Sequence, residues 1–112
     1  MRDLRIALRC DDPSIVASML GQALGIEFET RDSQYWGTYW TDVPKRSIRV
    51  FANEDPMHRH SEDSPSEFYF ESTFPKHRTL IDIECDERLA DTVAQLLATQ
   101  YPDFEIVSDT IA

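Results

Sequence analysis

Glycine is scarce in this chain, with three residues, at positions 21, 25 and 37, among 112. None builds a G-x-G-x-x-G turn, a P-loop or a G-x-S-x-G elbow, so nucleotide cradles and the serine-hydrolase turn are absent as sequence signals. Cysteine is limited to Cys10 and Cys85. One disulfide is the most they could form, and a cytosolic chain with 41% hydrophobic residues has core enough without it. Both read as reduced, largely buried thiols. No segment approaches the roughly 20 apolar residues of a membrane span, and Asp3 with scattered arginines interrupts the N-terminal MRDLRIALRC where a secretory signal needs an apolar run. A cytoplasmic protein is expected. Positive charge is also short, with 11 Lys plus Arg against 21 Asp plus Glu and a formal net charge of -10. Such a charge repels phosphates and anionic membranes and speeds encounter with basic proteins, which disfavours duplex DNA or RNA as a ligand.

What is abundant is acid in one place. Asn53 to Ser66, NEDPMHRHSEDSPS, concentrates carboxylates, proline and serine between two segments that read as sheet, and runs into EFYFE, where Glu67, Tyr69 and Glu71 alternate with Phe68 and Phe70. A single domain over residues 1–112 is expected, with 53–78 as an acidic arm or extended hairpin.

Elsewhere the periodicity is regular. Leu4, Ile6, Leu8 and Cys10 alternate with Arg5, Ala7 and Arg9 as a strand with one buried face. Asp12 offers an N-cap and Pro13 a first helical position, before Ile15, Val16, Met19, Leu20, Ala23 and Leu24 at helical spacing and a stop at Gly25. Residues 26–41 are aromatic and β-branched with a polar break at Arg31, Asp32 and Ser33, which fits one bent strand or a hairpin. Ile48, Val50 and Ala52 mark a further strand, and Phe68 to Phe70 suit a short one. In Thr79–Cys85 the acids Asp82 and Glu84 oppose Ile81, Ile83 and Cys85, with a sign opposite to Arg5 and Arg9. Antiparallel neighbours could therefore pair these charges on the outer face. Asp86 caps a second helix with Leu89, Val93, Leu96 and Leu97, ending at Tyr101-Pro102, and Phe104–Ser108 closes the chain as a strand.

This order predicts an α+β, ferredoxin-like sandwich, two helices on one face of a mostly antiparallel sheet with the other face exposed. Cys10 and Cys85 then fall at opposite ends of neighbouring strands, too far apart to bridge.

Chemistry has few candidates. His58 and His60, with His77 and Glu62 or Asp63, have ligand types suited to zinc or nickel, but without a cysteine pair or an H-E-x-x-H helix they read as solvated loop histidines. The many carboxylates read as a solvated acidic face rather than an acid–base pair. No cofactor, metal or catalytic residue is expected. Tyr35, Trp36, Tyr39 and Trp40 are a stronger signal. Alternate strand residues go to opposite faces, so either the tyrosines or the tryptophans should face outward, with burial beneath the protein's own arm as the competing reading. Outward rings supply binding energy, while acids supply encounter rate and register. The expected partner-binding set is Tyr35, Trp36, Tyr39, Trp40, Glu54, Asp55, Glu62, Asp63, Glu67, Tyr69 and Glu71.

In size, charge and element order the whole chain resembles the small cytoplasmic immunity proteins of contact-dependent growth inhibition and other polymorphic toxin systems of bacteria. These are short, acidic, often α+β, and specific for one toxin domain. They share no diagnostic motif, so the residue roles above come from the chemistry alone. The resemblance implies a non-enzymatic inhibitor of a basic toxin domain, such as a nuclease, that occludes its active-site cleft. The same element order also resembles ligand-sensing ferredoxin-like domains and half-units of the glyoxalase and bleomycin-resistance fold, which implies a small-molecule or metal-sensing module as the alternative. A DNA mimic ranks below immunity, because Arg5, Arg9, Arg49, Lys76 and Arg78 interrupt any phosphate-like array.

Overall fold

The alternating N-terminal run becomes β1, Arg2–Leu8, with Leu4, Ile6 and Leu8 buried on one face. The computed structural model describes residues 2–33, 37–43, 45–53 and 76–111. Helix α1, Pro13–Leu24, starts where Asp12 caps it: the backbone there is extended and the carboxylate accepts from the Ser14 N–H at 3.0 Å. It ends at Gly25, whose φ of 66° is left-handed. The buried residues of α1 are Pro13, Val16, Ala17 and Leu20. Ile15, expected in that stripe, is instead 57% exposed. Val16 and Leu20, four residues apart, define the face turned to the sheet, and position 15 lies one helical step off it.

Residues 26–41 resolve as a hairpin, β2 (Glu27–Ser33) paired antiparallel with β3 (Gly37–Val43). Arg31, Asp32 and Ser33, read as the polar break, lie within β2 opposite Tyr39, Thr38 and Gly37. β2 is an edge strand, so its polar side chains remain in water while its backbone is paired. The next connection, from β3 to β4 (Ile48–Ala52), is built on Asp42. Its buried carboxylate accepts from the Ile48 N–H at 2.7 Å and from Ser47 Oγ at 2.9 Å. Its carbonyl accepts from the Arg46 N–H at 2.9 Å, with Arg46 at a φ of 53°.

β5 (Thr79–Cys85) leads to α2 (Glu87–Gln100), capped by Asp86 through the Leu89 N–H at 2.9 Å, and then to β6 (Glu105–Ile111). The strands form one sheet in the order β2-β3-β4-β5-β1-β6, and every neighbouring pair is antiparallel. Both helical crossovers therefore join parallel strands that are not neighbours: β5 and β6 flank β1, and β1 and β2 are separated by three strands. The α+β sandwich expected from the sequence is the observed architecture. Its core lies between sheet and helices, where Leu4, Ile6, Leu8, Ile48, Val50, Ile81 and Ile83 meet Val16, Leu20, Ala90, Val93 and Leu97.

The face away from the helices is not exposed as expected. Ala7, Phe51 and Leu80 are each 0% accessible there, with Tyr39 and Val107 packed against them. Ala7 pairs with Leu80 across β1 and β5, and Phe51 with Leu80 across β4 and β5, so the three form one continuous row. A second cluster of this kind puts the central strands out of water on both sides.

The two ends of the 53–78 arm are tied together. Buried Asn53 donates its N–H to the Arg78 carbonyl at 2.8 Å and its Nδ2 to the His77 carbonyl at 3.0 Å. The Thr79 hydroxyl donates to the Cys10 carbonyl at 2.6 Å, so the loop before α1 is held at the same place. Cys10 and Cys85 are both free; β1 pairs Arg2 with Cys85 and Leu8 with Thr79, which separates the two thiols by the length of the strand.

Asp42→Ala should lower unfolding stability by about 3 kcal/mol, because two hydrogen bonds to a charged acceptor go and the Ile48 N–H is left buried. A urea midpoint series against Asp42→Asn, which keeps an acceptor, checks this; a loss below about 1 kcal/mol would remove Asp42 as the organiser of the turn.

Candidate partner-binding surface

Alternation along β1, β4 and β5 sets arginines and acids in register on the helix-free face. Arg5 stands opposite Asp82, and Asp82 opposite Arg49 on its other side. Arg5 donates to Asp82 in the two-pronged mode, Nε to one oxygen at 2.6 Å and a terminal nitrogen to the other at 2.7 Å. Arg49 donates to Glu84 at 2.7 Å. The Arg5 guanidinium also lies 5.8 Å from the centre of the Phe51 ring, a cation–π contact that covers part of the second apolar cluster.

Further ion pairs occupy the remaining arginines of the sheet. Arg2 bonds both Asp91 of α2 and Asp109 of β6, Arg9 approaches Asp103, and Arg31 and Arg46 both reach Glu29. The two hydrogen bonds hold the Arg2 guanidinium above its ordinary value, and the bond from Arg2 holds the Asp109 carboxyl below its own. Four arginines thus hydrogen-bond the protein's own acids and Arg9 and Arg46 each lie near one, while Asp3, Asp11, Glu27, Glu87 and Glu105 stand exposed against the exposed cations Lys45, Lys76 and Arg88. The surface left over is acidic. Half of the net charge lies in residues 54–75, which hold six carboxylates and one arginine.

On the helix side, a groove of about 520 Å³ runs between α1 and the β2–β3 hairpin. Ser14, Ala17, Ser18, Gly21 and Gln22 form the helical wall, and Ile26, Phe28, Thr30 and Trp40 the other. Among the described residues no charged side chain lines it. At one end the walls meet, since a Cβ on Gly21 would stand 3.1 Å from the Ile26 carbonyl oxygen and 3.6 Å from the Phe28 ring. Any side chain at this position would crowd the Ile26 carbonyl.

Two of the expected binding residues can be placed. Trp40 points to the helix side, packs half-buried against the main core and lines the groove; Tyr39, one residue earlier, lies on the opposite face against the Phe51 cluster. The hairpin separates these two rings instead of joining them in one patch. Tyr35, Trp36, Glu54, Asp55, Glu62, Asp63, Glu67, Tyr69 and Glu71 lie outside the described residues, as do His58 and His60. His77 is not a solvated loop histidine. It is buried, and its Nε2 bonds the Asp103 carbonyl at 2.8 Å. Among the described residues no group of three or more His, Cys, Asp or Glu is placed to hold a metal ion.

Burial pushes the Cys85 thiol up, and burial followed by the hydrogen bond to the Cys10 sulfur does the same to the Tyr101 phenol. Both groups are protonated at neutral pH. Phe28 and the Ser14, Ser18 and Gly21 side of α1 were not legible as groove walls, because their meeting depends on how far α1 stands off the hairpin. The small residues at 14, 17, 18 and 21 were the available signal. No protein-family model and no curated protein matches the chain.

Asp82→Ala should destabilise the fold by about 3 kcal/mol by removing the two-pronged carboxylate partner of a partly buried Arg5, whereas the pair Arg5→Met with Asp82→Leu should return to within about 1 kcal/mol of wild type. Chemical denaturation of the three proteins decides it; equal losses in the single and double variants would assign the effect to packing. Asp109, with its folded pKa depressed, contributes stability that is present above the ordinary carboxylate value and lost as pH falls through the lowered one. Carboxyl NMR should show it titrating below the ordinary range, and Arg2→Gln should restore the ordinary midpoint.

Proposed function

We propose that this chain is a cytoplasmic immunity or inhibitor protein that binds a basic toxin domain, such as a nuclease, and neutralises it by covering its active-site cleft. The observation that carries the reading is the division of charge. Arginines of the sheet are bound to internal acids, while residues 54–75 bring six carboxylates with a single arginine. A field of one sign steers a basic partner toward association rates of about 10⁸ to 10⁹ per molar per second, which suits an inhibitor that must act before damage accumulates. Glu54, Asp55, Glu62, Asp63, Glu67 and Glu71 would supply that field, and Tyr35, Trp36 and Tyr69 the short-range contacts, together with either Tyr39 or Trp40 according to the face of the hairpin the partner covers. Among the described residues no helix is long and apolar enough to cross a membrane, which accords with this reading.

The groove beside α1 favours a second reading, a small-molecule module, since its size falls within the usual range for ligand sites and two aromatic rings line it. Its lining lacks the convergent charged or metal-binding groups that fix most metabolites. Thermal stabilisation by a metal or metabolite, with no protein partner required, would replace the first reading with the second.

The immunity reading predicts that a neighbouring reading frame encodes a secreted protein with a basic C-terminal domain, and association of the chain with that domain tests it directly. The association rate should fall about tenfold or more between 0.05 and 0.5 M salt, and fall similarly when Glu62, Asp63 and Glu67 are changed together to lysine, with dissociation little altered. Of Tyr39→Ala and Trp40→Ala, the one on the covered face should chiefly speed dissociation. Absence of binding at micromolar concentration in low salt, or turnover of a substrate by the purified chain, would overturn the proposal.

A further inference from the structure

The groove between α1 and the hairpin is narrow where Gly21 comes close to Ile26 and Phe28, at the C-terminal cap of α1 in which the Ile26 N–H donates to the Gly21 carbonyl at 3.1 Å. Ser14 on the helix and Thr30 on β2 line its other part. Asp12 lies two residues before Ser14, and Asp32 two residues beyond Thr30, on the same side of the strand. Two carboxylates therefore stand beside the part of the groove lined by Ser14 and Thr30, and both are held in place, Asp12 by the Ser14 N–H and hydroxyl and Asp32 by the Thr38 hydroxyl at 2.9 Å. They outweigh the half positive charge that α1 brings to its N-terminus.

We infer that this groove receives an arginine side chain from a basic polypeptide, its guanidinium plane against Trp40 and its charge offset by Asp12 and Asp32. The inference rests on the immunity reading for the identity of the partner and names where on this chain that partner docks. Charge complementarity selects the occupant. The acids repel anions, and the groove offers what a guanidinium uses: an aromatic face for stacking, and oxygens on Ser14, Ser18, Gln22 and Thr30 to accept from its five N–H groups. Lysine matches less well, because a compact, strongly hydrated ammonium gains less from a ring and cannot fork its donors.

The probe is a blocked pentapeptide of glycine with two arginines, titrated into the full chain while the Trp40 indole N–H is followed by NMR in a Trp36→Phe background. A saturable movement of that resonance is expected, with affinity for the lysine counterpart lower by about threefold or more. Ser18→Lys puts a cation into the groove from an exposed helical position and should weaken arginine-peptide binding about tenfold, whereas Gln95→Lys, an equal charge change on exposed α2, should leave it within about twofold. No saturable movement, equal affinity for the two peptides, or equal effects of the two lysine substitutions would overturn the inference. Its failure is separable from that of the immunity reading. If the basic domain binds but ignores Ser18→Lys, the groove is refuted and the function stands; if the peptide seats at Trp40 while the basic domain does not bind, the function is refuted and the groove stands.

Discussion

The antiparallel pairing of β1 with β5 at the centre of the sheet is the constraint from which the other features follow. Its register puts Leu4 beside Ile83 and Ile6 beside Ile81 under the helices, and on the reverse face Arg5 beside Asp82 and Ala7 beside Leu80. A slip of one residue would turn the charged set into the helical core and the leucines and isoleucines out of it, so both faces enforce the same pairing. The bidentate Arg5–Asp82 pair is affordable in a partly dry position because each charge finds its partner at hydrogen-bond distance, and because the guanidinium rests near the Phe51 ring. Its value lies as much in excluding other registers as in net stabilisation.

That pairing also decides how the protein meets its surroundings. Arginines that alternate with apolar residues in β1 and β4 are drawn onto acids of β5, α2 and β6. The net charge of -10 is unchanged by this pairing, which confines the sheet's positive charge to fixed ion pairs. The clasp of Asn53 with His77 and Arg78 extends the antiparallel pairing, because it continues the β4–β5 ladder beyond Ala52 and Thr79.

Much of this was readable in advance. Asp12-Pro13 and Asp86 announced two helix starts, Gly25 announced a stop, and the opposed charges of β1 and β5 announced their pairing. Where the reading went astray, solvent and packing geometry explain it. Ile15 shares the hydropathy of its neighbours but not their angle to the sheet, and Arg31, Asp32 and Ser33 look like a turn because an edge strand tolerates polar residues on both faces. His77 looked like a solvated loop residue until the Asp103 carbonyl, 26 positions away in sequence, came within reach of its ring.

Local pattern by itself determined the kinds of element, their caps, the absence of familiar catalytic motifs and the acidic balance, since each depends on residues close together in sequence or on composition alone. Tertiary structure decided the rest: that the helix-free face buries Phe51, that Tyr39 and Trp40 serve opposite sides of one hairpin, and that α1 stands away from β2 at Ser14 while touching it at Gly21. These are matters of distance between strands and helices that meet only after the sheet has closed. No window along the chain contains them, because side chains from four separate elements must be brought within a few ångströms before a surface, a groove or an ion pair exists.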